Sequence, residues 1–191
     1  MSRRALNGWR CAVRCVALGL LLWIAPSSFA LGLSRRGALA AATAAPQWGV
    51  NGTMAAAELE RAASVLNTLQ KQVLFEGATE DPQSGRTVNG YPWDSKERGI
   101  YVSAISGAPL FSSDGKLKEE PGWPSFHQPL VEANLLLRPD PRDQERLPPE
   151  MWSTEVLDKA SMTHLGHILD DGDGRSHYCI NAAALRFIPS H

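Results

Sequence analysis

The chain has 191 residues, of which 43% are hydrophobic and 20% are charged, a composition that fits one globular domain with additional segments. Its net charge of −1 is unevenly distributed: the first 57 residues carry six Arg and no acidic residue, whereas the remainder carries 13 Lys and Arg against 20 Asp and Glu. An acidic body of this kind argues against nonspecific binding of nucleic acid, and we predict no nucleic-acid partner.

The basic N-terminus predicts two consecutive targeting segments. Residues 1–30 have the three regions of a secretory signal peptide: Arg residues, an apolar run over 16–25, and a small-x-small pattern at 28–30. That run is shorter than a membrane-spanning helix requires, so we predict no membrane association of the mature form. Residues 31–54 contain a pair of Arg residues before an Ala-rich stretch, as in a twin-arginine signal.

The tandem arrangement resembles the multipartite leaders of algae with complex plastids, where a twin-arginine segment selects the thylakoid lumen. We therefore predict a plastid location, with the thylakoid lumen as a candidate compartment. The alternative is a single signal peptide and an Ala-rich spacer, which would direct the protein to the secretory or endomembrane system. Removal of the leader would take Cys11 and Cys15 with it and leave Cys179 as the one thiol. A single thiol excludes an intramolecular disulfide.

Residues 55–191 are predicted to form one domain that begins with an amphipathic helix over 55–74. Gly77 is expected to help end this helix, and residues 77–99 are rich in Gly and Pro and predict irregular structure. Apolar residues recur along the helical segment at spacings of three and four, namely Leu59, Ala62, Leu66, Leu69 and Val73.

The central part of the chain predicts short strands separated by turns. Residues 99–103 have strand composition, a second strand starts in 107–111, and 154–157 returns to strand character. Residues 130–149 contain several prolines, which predict a surface excursion without regular structure.

Two segments in this region carry side chains suited to a site. In the compact aromatic segment 122–126, Trp123 is either a core residue or one wall of a pocket. His164, His167 and Asp171 are candidates for metal ligands or acid–base groups. The alternative is that both histidines lie on the surface near a polar turn.

The segment after the last turn places a thiol among polar side chains. Aromatic and β-branched residues predict a strand over 177–181, in which alternate side chains share a face. His177, Cys179 and Asn181 would then point together into one polar site. The alternative is an inert buried cysteine, the commoner role of a lone Cys in a strand.

A family resemblance is carried by three segments, 122–126, 164–167 and 177–185. They occur in the order and at the spacing found in the B-type methionine sulfoxide reductases, which act on the R epimer. The chain resembles that family from about residue 65 to its C-terminus. The resemblance implies a mainly β fold of two small antiparallel sheets, the β-tent, with an N-terminal helix. The predicted strands at 99–102, 109–111 and 154–156 fit the same pattern.

The resemblance also implies roles for particular residues. Cys179 matches the nucleophile that attacks the sulfoxide sulfur and becomes a sulfenic acid, and Trp123 matches the aromatic wall that takes the S-methyl group. A thiolate is the attacking species, so we expect a lowered pKa of Cys179. The catalytic positions besides Cys179 are His164, His167 and Asp171, and the substrate-binding positions are Trp123, Phe126, His177 and Asn181.

The chain departs from the family at several positions. Many members hold a structural zinc with two Cys pairs, and zinc fits hydroxyl ligands poorly, so we predict no bound metal and no other cofactor. His177 stands where Arg is usual, which predicts an activation of Cys179 that weakens above neutral pH. The four positions that match the zinc ligands are Ser103, Ser106, Asp158 and Ser161.

With no second cysteine in the mature chain, recycling of Cys179 needs an external thiol, either thioredoxin or glutaredoxin with glutathione. We predict a monomer that acts on oxidised proteins. Two other functions remain open: a catalytically idle module that binds a ligand on the same fold, and a structural protein in which Cys179 senses redox state.

Overall fold

The structure is a computed structural model that describes residues 53–118 and 121–190. The signal peptide predicted over 1–30 and all but the last two residues of the segment 31–54 lie outside the described residues. Within the two described ranges, no helix has the length and apolar character needed to cross a membrane.

The single helix predicted over 55–74 is in fact two helices, α1 (Ala56–Ser64) and α2 (Thr68–Glu76). Asn67 separates them: its side chain accepts a hydrogen bond from the backbone N–H of Gln70, whose side chain accepts one from the N–H of Asn67. This reciprocal capping begins a new helix and outweighs the continuous apolar spacing. Gly77 ends α2 in the left-handed region, with φ of 66°, as the sequence predicts.

The strands of the described residues form two antiparallel sheets, which confirms the predicted mainly β fold. The smaller sheet has the order β2-β1-β8, and the larger has the order β3-β7-β6-β5-β4. The strands are β1 (Gly99–Ser103), β2 (Pro109–Ser112), β3 (Ser125–Phe126), β4 (Leu135–Pro139), β5 (Thr154–Asp158), β6 (Thr163–Asp170), β7 (Ser176–Ile180) and β8 (Leu185–Pro189).

The segment 130–149 is more regular than predicted, since it contains strand β4 and a short helix, α3 (Pro141–Gln144). The prolines are compatible with both elements. Pro139 ends an edge strand, where its missing N–H interrupts no ladder, and Pro141 occupies the first turn of α3 behind its N-cap, Asp140. The prediction that this segment lacks regular structure was therefore wrong, whereas most of its residues are exposed, as a surface excursion requires.

An aromatic cluster joins the two sheets. Phe111 of β2 stacks on Phe126 of β3 with ring centroids 4.4 Å apart, and Tyr101 of β1 meets Phe126 edge-on at 5.2 Å. All three side chains are buried. Each such pair contributes about 0.5–1.5 kcal/mol beyond the burial of its area. This core holds the larger sheet in place and leaves its other face free to carry polar groups.

Candidate active site

Five strands of the larger sheet present one polar row on the face away from the aromatic core. Directly paired residues of antiparallel strands point to the same face, so the row runs unbroken across the sheet. From β3 to β4 its members are Ser125, Cys179, His167, Glu155 and Arg138. The thiol and the imidazole of His167 are therefore cross-strand neighbours.

A β-bulge in β6 adds His164 to this face. His164 and His167 are three residues apart and would point to opposite faces of a regular strand. The pairing with β5 shifts between Val156 and Leu157, which leaves Leu165 as the extra residue in β6. As a result the two imidazole rings lie 5.1 Å apart, and the surface-histidine alternative fails for His164, which is 3% exposed.

A cavity of about 170 Å³ opens above Cys179. It is lined by Trp123, His167 and Asn181, three of the residues that the resemblance assigns to the site, and by Thr79 and Leu169, to which the sequence assigns no role. Most of its lining is apolar, which suits a ligand with a small hydrophobic end. The remaining lining residues are Gly166, Cys179 and Ile180.

The close approach of β6 to β7 at this cavity requires glycine at position 166. A Cβ atom on Gly166 would lie 2.1 Å from the backbone oxygen of Cys179, far inside van der Waals contact. The glycine therefore allows the strand that carries the thiol to pair tightly beside His167.

The pKa of the Cys179 thiol is raised above its ordinary value, because the side chain is desolvated by burial. A hydrogen bond with Ser125 acts to lower it, and the charge of Glu80 acts to raise it further. His177 is not among these influences. The expected lowering of the thiol pKa by a nearby imidazolium is thus not found in the free site.

Two histidines of the site, His167 and His164, are each bound to a carboxylate that is in turn bound to an arginine. His167 Nε2 lies 2.7 Å from Asp140 Oδ2, and Arg142 Nη2 lies 2.6 Å from the same oxygen. The hydrogen bond from Arg142 holds the pKa of Asp140 well below its usual range. Asp140 is therefore ionised and accepts the hydrogen bond from His167. The proton of this bond is on Nε2 of His167, and Nδ1 is the ring nitrogen that can accept or donate a proton on the side away from Asp140.

The second chain of contacts lies one step further from the thiol. His164 Nδ1 lies 2.7 Å from Glu155 Oε1, and Arg138 Nε lies 2.7 Å from Glu155 Oε2. Desolvation by burial lowers the pKa of His164, and the hydrogen bond with Glu155 opposes that effect. Burial favours the neutral form of His164, and its ring lies beside that of His167, so His164 is suited to fixing the position of the His167 ring.

Asp171 and His177 pair with each other rather than with the thiol. Asp171 Oδ1 lies 2.5 Å from His177 Nδ1 at the hairpin between β6 and β7, and neither residue lines the cavity. His177 is nevertheless on the same strand face as Cys179, as predicted. The pair closes the hairpin next to Leu169, which faces His177 across the strands and lines the cavity.

Phe126 does not belong to the site. It follows Ser125, which shares a face with Cys179, so strand alternation turns Phe126 to the opposite face. There it is fully buried and stacks on Phe111. Its predicted role in substrate binding is therefore corrected to a role in the core.

The four positions that match the zinc ligands of the family are brought together as a buried hydrogen-bonded cluster. Asp158 Oδ2 accepts hydrogen bonds from Ser103 Oγ at 2.7 Å and Ser161 Oγ at 2.5 Å, and Ser106 Oγ accepts one from a nearby backbone N–H. Three hydroxyls and one carboxylate do not fit zinc, which prefers thiolate and imidazole ligands. Across the described ranges, no three His, Cys, Asp or Glu side chains are grouped so as to hold a metal ion.

Several residues of the site were not found from the sequence. Ser125 lies inside the aromatic segment and Glu155 inside a predicted strand, so pairing the predicted strands would have placed both beside the site. Asp140 and Arg142 were hidden by the assignment of 130–149 as irregular. Glu80 lies in a polar loop whose local sequence gives no signal.

Comparison with known proteins agrees with this geometry. Residues 66–189 match the SelR domain family. The chain is 39% identical over 127 residues to a peptide methionine sulfoxide reductase MsrB of Staphylococcus saprophyticus, a match covering 65% of this chain and 82% of that protein. It is also 41% identical over 132 residues to the peptide methionine sulfoxide reductase MsrA/MsrB of Vibrio cholerae.

The Vibrio match covers 68% of this chain but 32% of the longer Vibrio protein. The chain belongs to the SelR family, the B-type methionine sulfoxide reductases, and the matched segment contains the whole of the site described above.

Proposed function

We propose that the chain reduces methionine-R-sulfoxide in proteins to methionine, as a repair enzyme of the oxidative stress response. The observation that carries this proposal is that Cys179 and Trp123 line the same largely apolar cavity, with His167 as the cross-strand neighbour of Cys179. A nucleophile, a proton donor and a surface for a methyl group are the three elements that the reaction needs.

The proposed reaction transfers the sulfoxide oxygen to Cys179. The sulfur of Cys179 attacks the sulfoxide sulfur as the S–H proton leaves for the sulfoxide oxygen, and His167 relays that proton through Nδ1. The hydroxyl then moves from the sulfoxide sulfur to the sulfur of Cys179: this S–O bond forms as the S–S bond and the former S=O bond break. Methionine is released and a Cys179 sulfenic acid remains, so the thiol is oxidised by two electrons and the sulfoxide is reduced by two. The raised pKa of Cys179 is compatible with this sequence of steps, because the thiol still carries its proton when the substrate binds.

Trp123 supplies the proposed selectivity for the R epimer. Its ring offers an apolar surface to the S-methyl group, while the oxygen of the bound R epimer points towards the polar row. The S epimer would exchange these two groups and bury its oxygen against Trp123 without a hydrogen bond. That burial costs on the order of 2–7 kcal/mol.

We propose that an external thiol completes the cycle. Two equivalents of thiol, from thioredoxin or from glutaredoxin with glutathione, convert the sulfenic acid to the thiol and water and are themselves oxidised to a disulfide. The position before Gly122, where some relatives carry a resolving cysteine, is Pro121 here. No bound cofactor or zinc is required in this scheme, and we propose that the protein acts as a monomer.

We also propose plastid delivery through the leader over 1–54, with the thylakoid lumen as a candidate destination. The support is its sequence, a signal peptide followed by a twin-arginine segment. A fluorescent fusion of residues 1–54, expressed in an alga with complex plastids, should accumulate in the plastid. Accumulation in the endomembrane system or the medium would favour the single-signal alternative.

The activity is tested by incubating the full-length chain with a mixture of R and S epimers of a methionine sulfoxide peptide and excess dithiothreitol. We expect consumption of the R epimer alone and no consumption by Cys179→Ser. An inactive parent chain that still binds the sulfoxide peptide would instead identify an idle binding module.

A further inference from the structure

We propose that Glu80 is a positioning residue of this site, which fastens the loop segment 79–83 to both sides of the cavity and so fixes the distance between Trp123 and Cys179. This inference rests on the function proposed above. Glu80 touches no reacting atom, and its effect passes through the side chains and backbone that it holds.

The carboxylate of Glu80 binds the turn that follows β7, the strand that carries Cys179. Its Oε1 accepts a hydrogen bond from the N–H of Ala182 at 2.5 Å, and its Oε2 accepts one from the N–H of Ala183 at 3.0 Å. These residues begin the 3-10 turn that follows Asn181. The side chain is 2% exposed, and burial raises the pKa of its carboxyl while the two N–H donors lower it.

The backbone of Glu80 holds two side chains that line the cavity. Its N–H donates to Asn181 Oδ1 at 3.1 Å, and its carbonyl accepts from Trp123 Nε1 at 3.0 Å. Glu80 therefore connects Trp123 and Asn181, which line the cavity, to the turn at the end of β7. A second link fixes the same segment, since the N–H of Gln83 donates to the carbonyl of Gly122 at 2.8 Å.

The surrounding chain makes room for this carboxylate. A Cβ atom on Gly85 would lie 2.3 Å from Glu80 Oε1, so any larger residue at that position would displace the side chain. An acidic group buried at this depth is costly unless its charge meets donors. The two N–H groups meet that requirement, and without Glu80 they would themselves be buried without an acceptor.

Loss of the carboxylate should therefore displace segment 79–83 and with it the indole of Trp123. A shift of about 1 Å in a positioning group can cost on the order of 100-fold in rate. Because Trp123 is the surface that separates the epimers, the preference for R over S should shrink as well. A residue that matters only for stability would not change that preference.

The test uses the full-length chain with Glu80→Ala and Glu80→Gln. The matched controls are Asp81→Asn, at the exposed neighbouring acid, and Leu110→Ala, which weakens the core in the smaller sheet. Measurements are kcat and KM for each epimer, thermal unfolding, and the indole N–H resonance of Trp123, assigned by its absence in Trp123→Phe.

We expect Glu80→Ala to lower kcat/KM for the R epimer by about 10- to 100-fold, to shrink the R-to-S ratio and to shift the Trp123 resonance. Glu80→Gln keeps one acceptor oxygen and should be intermediate. Asp81→Asn should match the parent, and Leu110→Ala should lower the melting temperature with the R-to-S ratio and the resonance unchanged.

The proposal is overturned if Glu80→Ala keeps the parent's R-to-S ratio and Trp123 resonance, or if Leu110→Ala changes both to the same extent. If Glu80→Ala does not fold, the same criteria apply to Glu80→Gln. The Trp123 resonance can be measured without turnover. If the parent chain has no reductase activity, the proposed function is wrong, but the shift of the Trp123 resonance in the Glu80 variants still tests the positioning role of Glu80.

Discussion

Cys179 combines partial burial with a polar neighbour on each side, and the balance between these surroundings sets its reactivity. Burial raises the pKa of the thiol, and the hydrogen bond with Ser125 partly offsets that effect. The thiol is therefore largely protonated in the free protein at neutral pH. Its reactivity towards an alkylating agent reports this balance directly.

We expect the rate of Cys179 alkylation by iodoacetamide to rise with pH to a midpoint above that of an ordinary thiol, roughly 8.5. Ser125→Ala should move the midpoint higher, because it removes the hydrogen bond that favours the thiolate. Peptide-resolved mass spectrometry over a pH series, with glutathione as the reference thiol, provides the measurement.

The same series tests the activating role that the sequence assigns to His177. The imidazole of His177 is bound to Asp171, so His177→Arg should leave the midpoint for Cys179 unchanged. A midpoint below that of glutathione, or a large shift in His177→Arg, would contradict this description of the thiol.

At the scale of single elements, the edge strand β4 and helix α3 control the orientation of His167 from outside the cavity. Asp140, the N-cap of α3, accepts hydrogen bonds from Arg142 and from His167. The helix-loop-strand order and the strand that carries Cys179 were predictable from the sequence. Strand β4 and helix α3 were not, because prolines at the end of an edge strand and at the start of a helix give the same local sequence pattern as a proline-rich loop.

Arg142→Gln should lower kcat/KM by about tenfold, because Asp140 loses the partner that fixes it against His167. It should also raise the pKa of Asp140, so that the carboxylate is protonated earlier as pH falls and the acidic limb of the pH–rate profile moves to higher pH. Arg146→Gln, an exposed arginine of the same segment, is the control. Equal pH profiles for both variants would contradict the role of Asp140.

The pairing of β6 with β7 gives a second prediction at this scale. Gly166→Ala places a methyl group against the backbone of Cys179 and should lower the free energy of unfolding by about 1–3 kcal/mol or more. Gly115→Ala, whose new Cβ atom would meet its nearest neighbour at 3.8 Å, should be close to neutral. Chemical denaturation of the two variants provides the comparison, and equal stabilities would show that the strands tolerate a wider spacing.

At the scale of the whole molecule, a hydrogen-bonded cluster connects the two sheets where many relatives place zinc. Ser103 ends β1 of the smaller sheet and Asp158 ends β5 of the larger, and their side chains meet at 2.7 Å. The Asp158 carboxylate also accepts from Ser161 Oγ and from the N–H of Ala160. We propose that this cluster replaces the stabilising contacts of the metal.

Asp158→Asn should lower the free energy of unfolding by about 1–3 kcal/mol, because an amide nitrogen in place of one oxygen leaves a buried donor facing hydroxyl donors. The melting temperature of the parent should not change with a metal chelator. A chain carrying Cys at positions 103, 106, 158 and 161 should bind one zinc ion and melt at lower temperature when chelated. Zinc retained by the purified parent chain, or a fall in its melting temperature with chelator, would contradict this proposal.

The fold class and the core of the site were predictable because they depend on short patterns: strand composition, the Cys179 segment and the spacing of the histidines. Roles set by long-range packing were not. Phe126 lies in a motif beside Trp123, yet strand alternation sends it to the core. Glu80 acquires its contacts only when a loop meets a turn about a hundred residues later in the chain.

The most direct test of the account is a single turnover of the full-length, fully reduced chain with excess methionine-R-sulfoxide peptide and no added thiol, followed by trapping with dimedone. We expect one methionine per chain, one dimedone adduct located at Cys179, and Cys11 and Cys15 still free. Cys11→Ser with Cys15→Ser should give the same yield. Methionine formation without an adduct at Cys179, or a disulfide between Cys179 and the leader cysteines, would contradict the one-cysteine mechanism.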